Sequence, residues 1–121
     1  MIIKKLEYDL AICQLKEEAK INFNKKFYSL VKTEEELSFV CPADGIPTNT
    51  INVDKGWNAF YIKGVLDFSM VGILAKLSNI LAENQISIFA ISTYNTDYIL
   101  VKNENFNRAL SILEKAGYIV E

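Results

Sequence analysis

Histidine is absent from all 121 residues, and arginine occurs once, at Arg108. Without histidine the chain lacks the usual general base near neutral pH and the commonest transition-metal ligand. Cysteine is scarce as well. Cys13 and Cys41 form neither a CxxC pair nor a ligand cluster, and each lies among apolar residues in a strand-like segment, so both read as buried packing thiols. The five glycines compose neither a GxGxxG fingerprint nor a phosphate-binding loop. No apolar run reaches membrane-spanning length, and Met1-Ile-Ile-Lys-Lys has no secretory apolar region, which sets the expectation of a cytoplasmic protein without a membrane partner. Basic stripes are missing too. Lys4-Lys5 and Lys25-Lys26 are the only basic doublets and the net charge is −2, which argues against a nucleic-acid partner.

What the chain does have is apolar content. Half of its residues are hydrophobic, enough for a real core in one compact unit or two very small ones. The second half is the clearer. Trp57, Ala59 and Tyr61 alternate with Asn58, Phe60 and Ile62, the period of a strand running to Gly64. Ile73, Leu74, Leu77, Ile80 and Leu81 recur at helical spacing, with Ser69 as the expected cap and Asn84 as the expected left-handed exit. Ile86 to Ser92 reads as a strand, Thr93 to Thr96 as a turn, and Asp97 to Lys102 as the antiparallel return. Asn105 is the expected cap of a second helix carrying Phe106, Ala109, Leu110 and Leu113. Gly117 ends it, and Tyr118-Ile119-Val120 is a short last strand. That order is βαββαβ, an α+β ferredoxin-like sheet.

The first half repeats these signals more weakly. Leu10 to Leu15, Lys26 to Val31 and Leu37 to Cys41 read as strands, with Thr33-Glu-Glu-Glu36 as a capping-box-like turn. The polar link Lys16 to Asn24 is too short for a full helix with loops. Residues 1–55 therefore read as a shortened sister of the unit at 56–121, packed with it. In the segment Ile86 to Ile91, Ile86, Ile88 and Ala90 alternate with Phe89 and Ile91, so apolar residues are expected on both faces. The first half, a second subunit, or both would cover them, and a twofold homodimer is the economical solution.

The residues able to carry chemistry sit at strand ends. Asp67 precedes the first helix of the second half, and Asp97 follows its turn. Each could accept a ligand's ammonium, or could serve only as a cap or turn acceptor. Ser69, Met70, Val71 and Gly72 open the helix, where free N–H groups suit a carboxylate. Phe68 lies within this segment. Ser92, Thr93 and Thr96 offer hydroxyls beside Asp97, and Tyr94 could stack on an aliphatic stem or merely cover the turn. Donors facing acceptors, with nothing nucleophilic between them, suit a small zwitterion better than a reaction. Trp57 and Phe89 read as core. Glu34-Glu35-Glu36 reads as a solvated face, no metal cluster is visible, and no cofactor is implied. An acylphosphatase would place an arginine near its first strand, whereas Arg108 lies in the last helix.

Gly64-Val-Leu-Asp-Phe-Ser-Met-Val-Gly-Ile-Leu-Ala75 and Ile86 to Val101, with Phe39-Val-Cys-Pro42 and Gly56-Trp57, resemble the ACT-domain superfamily. The resemblance is to small stand-alone bacterial ACT proteins, related to the arginine sensors of animal growth signalling and to aspartate kinase regulatory domains. It implies a non-catalytic regulatory module that binds an amino acid between two such units. Asp67 to Gly72 and Ser92 to Asp97 would line the pocket, with Thr93, Tyr94 and Asp97 matching the sensors' Thr-aromatic-x-x-Asp pattern. An enzyme or a regulator would be the partner. The alternative is an assembly module whose pocket is vestigial.

Overall fold

In a computed structural model, residues 1–16, 20–64 and 71–121 are described. Two compact units divide the chain: Met1–Glu7 with Asn58–Glu121, and Tyr8–Trp57. Among the described residues, no helix is long and apolar enough to cross a membrane.

The C-terminal unit contains strand β1 (Ile2–Lys5), the last part of the long strand that runs from Thr50 to Ile62, helix α1 (Ile73–Glu83), and then the hairpin Phe89–Ser92 and Asp97–Lys102. Helix α2 (Asn103–Lys115) and the strand Ile119–Val120 complete it. Counting the three strands of the other unit, β2 (Leu10–Leu15), β3 (Ser29–Lys32) and β4 (Leu37–Pro42), the long strand is β5 and the rest are β6 to β8. Pairing within the C-terminal unit runs β6-β7-β5-β1-β8. This is the ferredoxin-like order with one addition. β1 lies between the first and last strands, antiparallel to β5 through Ile3↔Ile62 and parallel to β8 through Ile2↔Ile119. Ile3 is fully buried there, a role its position in a polar, short N-terminal segment did not announce.

The core of this unit follows the two periodicities. Phe60 and Ile62 on β5, Ile99 and Val101 on β7, and Ile3 on β1 meet Leu77 and Leu81 of α1 and Phe106, Ala109, Leu110 and Leu113 of α2. Each fully buried Leu, Ile or Phe contributes about 1.5–3 kcal/mol relative to exposure. On the other side of the sheet Tyr61 and Tyr98 stack with ring centroids 5.0 Å apart. Trp57 is buried, as expected of a core residue, whereas Phe89 is only half-buried.

Both helices end in the same Schellman motif. After α1, Ile86 N–H donates to the Leu81 carbonyl (3.0 Å) and Gln85 N–H to Ala82 (3.0 Å). After α2, Tyr118 N–H donates to Leu113 (3.0 Å) and Gly117 N–H to Glu114 (3.0 Å). The left-handed residue is Gly117 in one case (φ +106) and Gln85 in the other (φ 56). Asn84, expected in that role, sits one position early at φ −104. The motif also corrects the sixth strand. Ile86 is consumed as the hydrophobic partner of Leu81 in the cap, so pairing begins only at Phe89, and Ala90 is exposed. The doubly apolar strand expected from the sequence is therefore shorter, with one exposed row. Asn105 likewise does not cap α2: the helix starts at Asn103 after Lys102, leaving Asn105 in its first turn.

In the N-terminal unit the order is β3-β4-β2-β5. β2 pairs β4 from Leu10↔Pro42 to Leu15↔Leu37, and β4 pairs β3 from Ser29↔Val40 to Lys32↔Leu37. One face buries Ala11, Cys13, Leu15, Phe39 and Cys41, covered by Ile21, Leu37 and Ile46. Among the described residues no α-helix lies between β2 and β3, and one 3-10 turn (Ala43–Gly45) stands between β4 and β5. The pairing of β2 with β5 shifts register between Leu10↔Trp57 and Ile12↔Asp54, one extra residue on β5. Gly56 supplies the left-handed conformation of this bulge at φ +84.

Cys13 and Cys41 are both buried and not disulfide-bonded. Burial pushes the Cys41 thiol up to about 12, helped by its Cys13 neighbour, and raises Cys13 as well. Neither thiol should react with a maleimide or disulfide reagent at about pH 8 until the protein unfolds. Because an unfolded thiol ionises near pH 8.5 while these stay protonated when folded, the unfolded chain holds fewer protons above that pH. Stability should fall as the pH rises from about 8.5 towards 12, and urea titrations across that window check the sign.

Candidate functional site

Several segments meet at the end of the C-terminal unit where β5 finishes. The registers Ile3↔Ile62 and Ile2↔Ile119 bring the start of β1 and the start of β8 to this end. α1 begins after β5 and α2 exits into β8, so both helix termini lie here too. β7 is fixed to the same end by a side chain. Thr96 Oγ1 donates to the Ile62 carbonyl at 2.6 Å, and Thr96 is the one buried polar residue among those described.

The turn between β6 and β7 closes on itself. Thr93 N–H donates to the Thr96 carbonyl at 2.8 Å, and the Thr93 hydroxyl donates to the same oxygen at 3.0 Å. Thr96 N–H in turn donates to Thr93 Oγ1 at 3.2 Å. Ser92 Oγ donates to Asp97 Oδ1 at 2.6 Å across the last register pair of the hairpin. Asp97 is half-buried, Ser92 and Thr93 are exposed, and Tyr94 is 81% exposed at the tip. Four of the residues singled out from the sequence thus form one cluster, with the hydroxyls already engaged in shaping it.

The helix-opening segment is described only at its end. Asp67, Phe68, Ser69 and Met70 lie outside the described residues. α1 starts at Ile73 with Gly72 as its cap residue, at φ 84 and with no side-chain cap bond, so the capping position is Gly72 and not Ser69. Gly72 tolerates this conformation and its carbonyl accepts the Lys76 N–H at 2.9 Å. Val71 is 91% exposed. With Gly72 and Lys76, Val71 lines a shallow recess of about 270 Å³ that also includes Met1, Gly117 and Tyr118.

Charge at this end is balanced. Lys63 Nζ donates to Glu121 Oε1 at 2.9 Å. That hydrogen bond raises the lysine above its ordinary range and lowers the glutamate below its own. Both groups are exposed, so the pair orients the chain end more than it stabilises the fold. Burial, then the Tyr61 ring hydroxyl, pushes the Tyr98 phenol up. Among the described residues, no group of three His, Cys, Asp or Glu could hold a metal ion.

The N-terminal unit contains the same turn sixty positions earlier. Thr33 N–H donates to the Glu36 carbonyl at 2.9 Å, the Thr33 hydroxyl approaches that carbonyl at 3.5 Å, and Glu36 N–H donates to Thr33 Oγ1 at 3.1 Å. Thr33 and Glu36 thus play the parts of Thr93 and Thr96. Sequence reasoning noticed the Thr-Glu-Glu-Glu run but not this equivalence, because only the backbone geometry equates Glu36 with Thr96.

The ACT domain family model matches residues 52–115, and a second model, of an N-terminal domain, matches residues 8–49. A protein of Agobacterium tumefaciens of known crystal structure is 31% identical over 99% of this chain and 91% of its own, with a TM-score of 0.87. A Vibrio cholerae protein is 20% identical over 93% of this chain and 87% of its own (TM-score 0.72). The regulatory subunit of aspartate kinase from Thermus thermophilus is 10% identical over 95% and 96% (TM-score 0.63) and shares the fold. No curated protein matches the sequence. The chain belongs to the ACT-domain family.

The Thr96 anchor sets a clear expectation. Thr96→Val keeps the shape of the side chain but removes the bond to the Ile62 carbonyl, at a cost of about 1–3 kcal/mol. Thr96→Ser should recover most of that, and Ser92→Ala, on the exposed side of the turn, should cost less than about 1 kcal/mol. Urea midpoints of the three variants check the ranking.

Proposed function

We propose that this ACT-domain protein is a regulatory module that senses an amino acid at an interface between ACT-like units and catalyses no reaction itself. The reading rests on family membership and a regulatory-domain fold, and its carrying observation is the Thr96 bond that holds the Asp97 turn at the end of β5. In this reading Asp97 keeps one carboxylate oxygen on Ser92 and offers the other to the ligand's ammonium. Asp67, Phe68, Ser69 and Met70, with the N–H groups of Val71 and Gly72, would receive its carboxylate. Tyr94 and Thr93 would flank the stem. The protein regulated would be an enzyme or another regulator.

Residues 1–55 would form the reduced ACT-like unit and residues 56–121 the full one. The shared strand order and the repeated threonine turn support that division. The first seven residues nonetheless pair within the C-terminal unit. A homodimer is supported by apolar side chains left in solvent: Leu30 and Val31 on the edge strand β3, and Ile51 and Val53 on β5. One observation favours the second reading, an assembly module with a vestigial pocket. The hydroxyls of Thr93, Thr96 and Ser92 are already bonded within the protein.

Thermal denaturation in the presence of each proteinogenic amino acid separates the two readings. A true ligand raises Tm by mass action on the folded state. Asp97→Ala should weaken that ligand by about 30-fold or more, since removing one partner of a buried charge pair costs about 2–5 kcal/mol. The same substitution should leave the ligand-free Tm within a few degrees. No response to any amino acid, or an affinity unchanged in Asp97→Ala, would turn the conclusion to the assembly module. Light scattering at micromolar concentration should give twice the chain mass, and a monomer mass with and without ligand would remove the dimer.

A further inference from the structure

We propose that strand β3 is an interface between two copies of this chain, pairing antiparallel with β3 of the second copy. The sheet β5-β2-β4-β3 of one N-terminal unit then continues directly into that of the other. The proposal rests on the dimer reading above and names its surface. Among the described residues β3 pairs with β4 alone, and its register runs from Ser29↔Val40 to Lys32↔Leu37 without a shift. An unpaired row of backbone groups is a template for another strand unless a proline, a bulge or a cover blocks it. β3, Ser-Leu-Val-Lys, has neither proline nor bulge.

The turn tells which backbone groups are free. Thr33 N–H bonds to the Glu36 carbonyl, and from there bonded and non-bonded pairs alternate along the hairpin. Val31 and Ser29 therefore direct their N–H and C=O groups at β4, while those of Leu30 and Lys32 point away from it. The side chains at this edge are apolar and partly in solvent, Leu30 at 40% and Val31 at 52% exposure. An aromatic series also leads off the sheet here. Phe39, buried on β4, lies 6.0 Å from Tyr28, which meets Phe23 at 5.2 Å, and Phe23 is 57% exposed.

Charge selects the occupant. Lys25 and Lys26 precede β3, and Glu34, Glu35 and Glu36 follow it, so the segment is basic at one end and acidic at the other. Lys25 is held by Asp44 at 3.2 Å, which leaves the exposed Lys26 for a partner. Lys32 offsets one of the three glutamates. A strand with opposite charges at its ends is complementary to a reversed copy of itself. Two registers use the free groups of Leu30 and Lys32. Centred on Leu30, the pairing sets Lys26 of one copy level with Glu34 of the other; centred on Val31, it sets Lys26 level with Glu36. The twofold axis repeats the attraction at both ends. Parallel pairing would instead set lysine beside lysine and glutamate beside glutamate. β6 also pairs on one side only, but the sequence has no lysine or arginine between Lys76 and Lys102, and β8 is two residues long.

Light scattering and sedimentation across micromolar concentrations test this surface with exposed residues alone. Lys26→Glu sets like charges at both ends of the interface, and so does Glu34→Lys combined with Glu36→Lys. Each variant by itself should weaken the dimer by about tenfold or more. Mixed in equal amounts, the two restore an attraction at each end, and the mixture should regain the wild-type dimer affinity. Leu30→Pro removes an outward N–H that β4 does not use, and should give the monomer mass. Should Leu30→Pro fail to fold, the charge variants and their mixture decide the matter. A monomeric wild-type protein would overturn this proposal and the dimer reading together. A wild-type dimer that persists in folded Leu30→Pro, charge variants that dimerise undiminished, or a mixture no tighter than its components would overturn the β3 surface and leave the dimer reading standing.

Discussion

Strand β5 is the constraint on which both units depend. Thirteen residues long, it is the last strand of the N-terminal unit through its pairing with β2, and the first strand of the C-terminal unit through its pairing with β1 and β7. Its two ends are used differently: Ile51 and Val53 stay in solvent before the bulge, and Phe60 and Ile62 enter the core of the C-terminal unit after it. One extra residue exchanges the two faces of a strand, and Gly56, at φ +84, takes the left-handed conformation of that bulge.

From that strand the site follows by short steps. β5 ends at Ile62. Thr96 takes the Ile62 carbonyl, and in doing so fixes where β7 begins and where Asp97 stands. The turn hydroxyls are therefore structural first. Among the described residues, the turn leaves the Asp97 carboxylate oriented by Ser92, and α1 begins at Ile73 with no side-chain cap bond.

Strong periodicity was legible in the sequence, and chain-end chemistry was not. Leu10–Leu15 and Asp97–Lys102 are short apolar runs between clear turn signals, and the structure has them as strands with those bounds. β1 escaped because two isoleucines and two lysines give no period over four residues. It is a strand only because β5 and β8 leave a row of donors and acceptors between them. The shifts at Asn84 and Ile86 share one cause: a Schellman cap is defined by where the helix stops, and Gln85 gives no glycine-like mark of its left-handed conformation. The Ser92–Asp97 cluster was readable because it is local. The burial of the Asn49 amide was not, since nothing in Thr-Asn-Thr distinguishes a solvated amide from a sealed one.

The two units show how one turn can be kept while its chemistry changes. Thr33 and Thr93 close their loops by the same three contacts, two of them through the threonine hydroxyl, while the partner three residues on contributes only its backbone. The flanking positions differ in kind. After Thr96 comes Asp97, bonded to Ser92; after Glu36 comes Leu37, with Lys32 opposite in the register. The C-terminal turn thus sets a carboxylate at its strand end, where the N-terminal turn sets an apolar side chain with charges pushed outward to the rim. Among the described residues of the N-terminal unit no α-helix opens onto that end, whereas α1 opens onto the corresponding end of the C-terminal unit. The shared turn geometry fixes where each loop closes, and the residues flanking it decide the charge carried at that strand end.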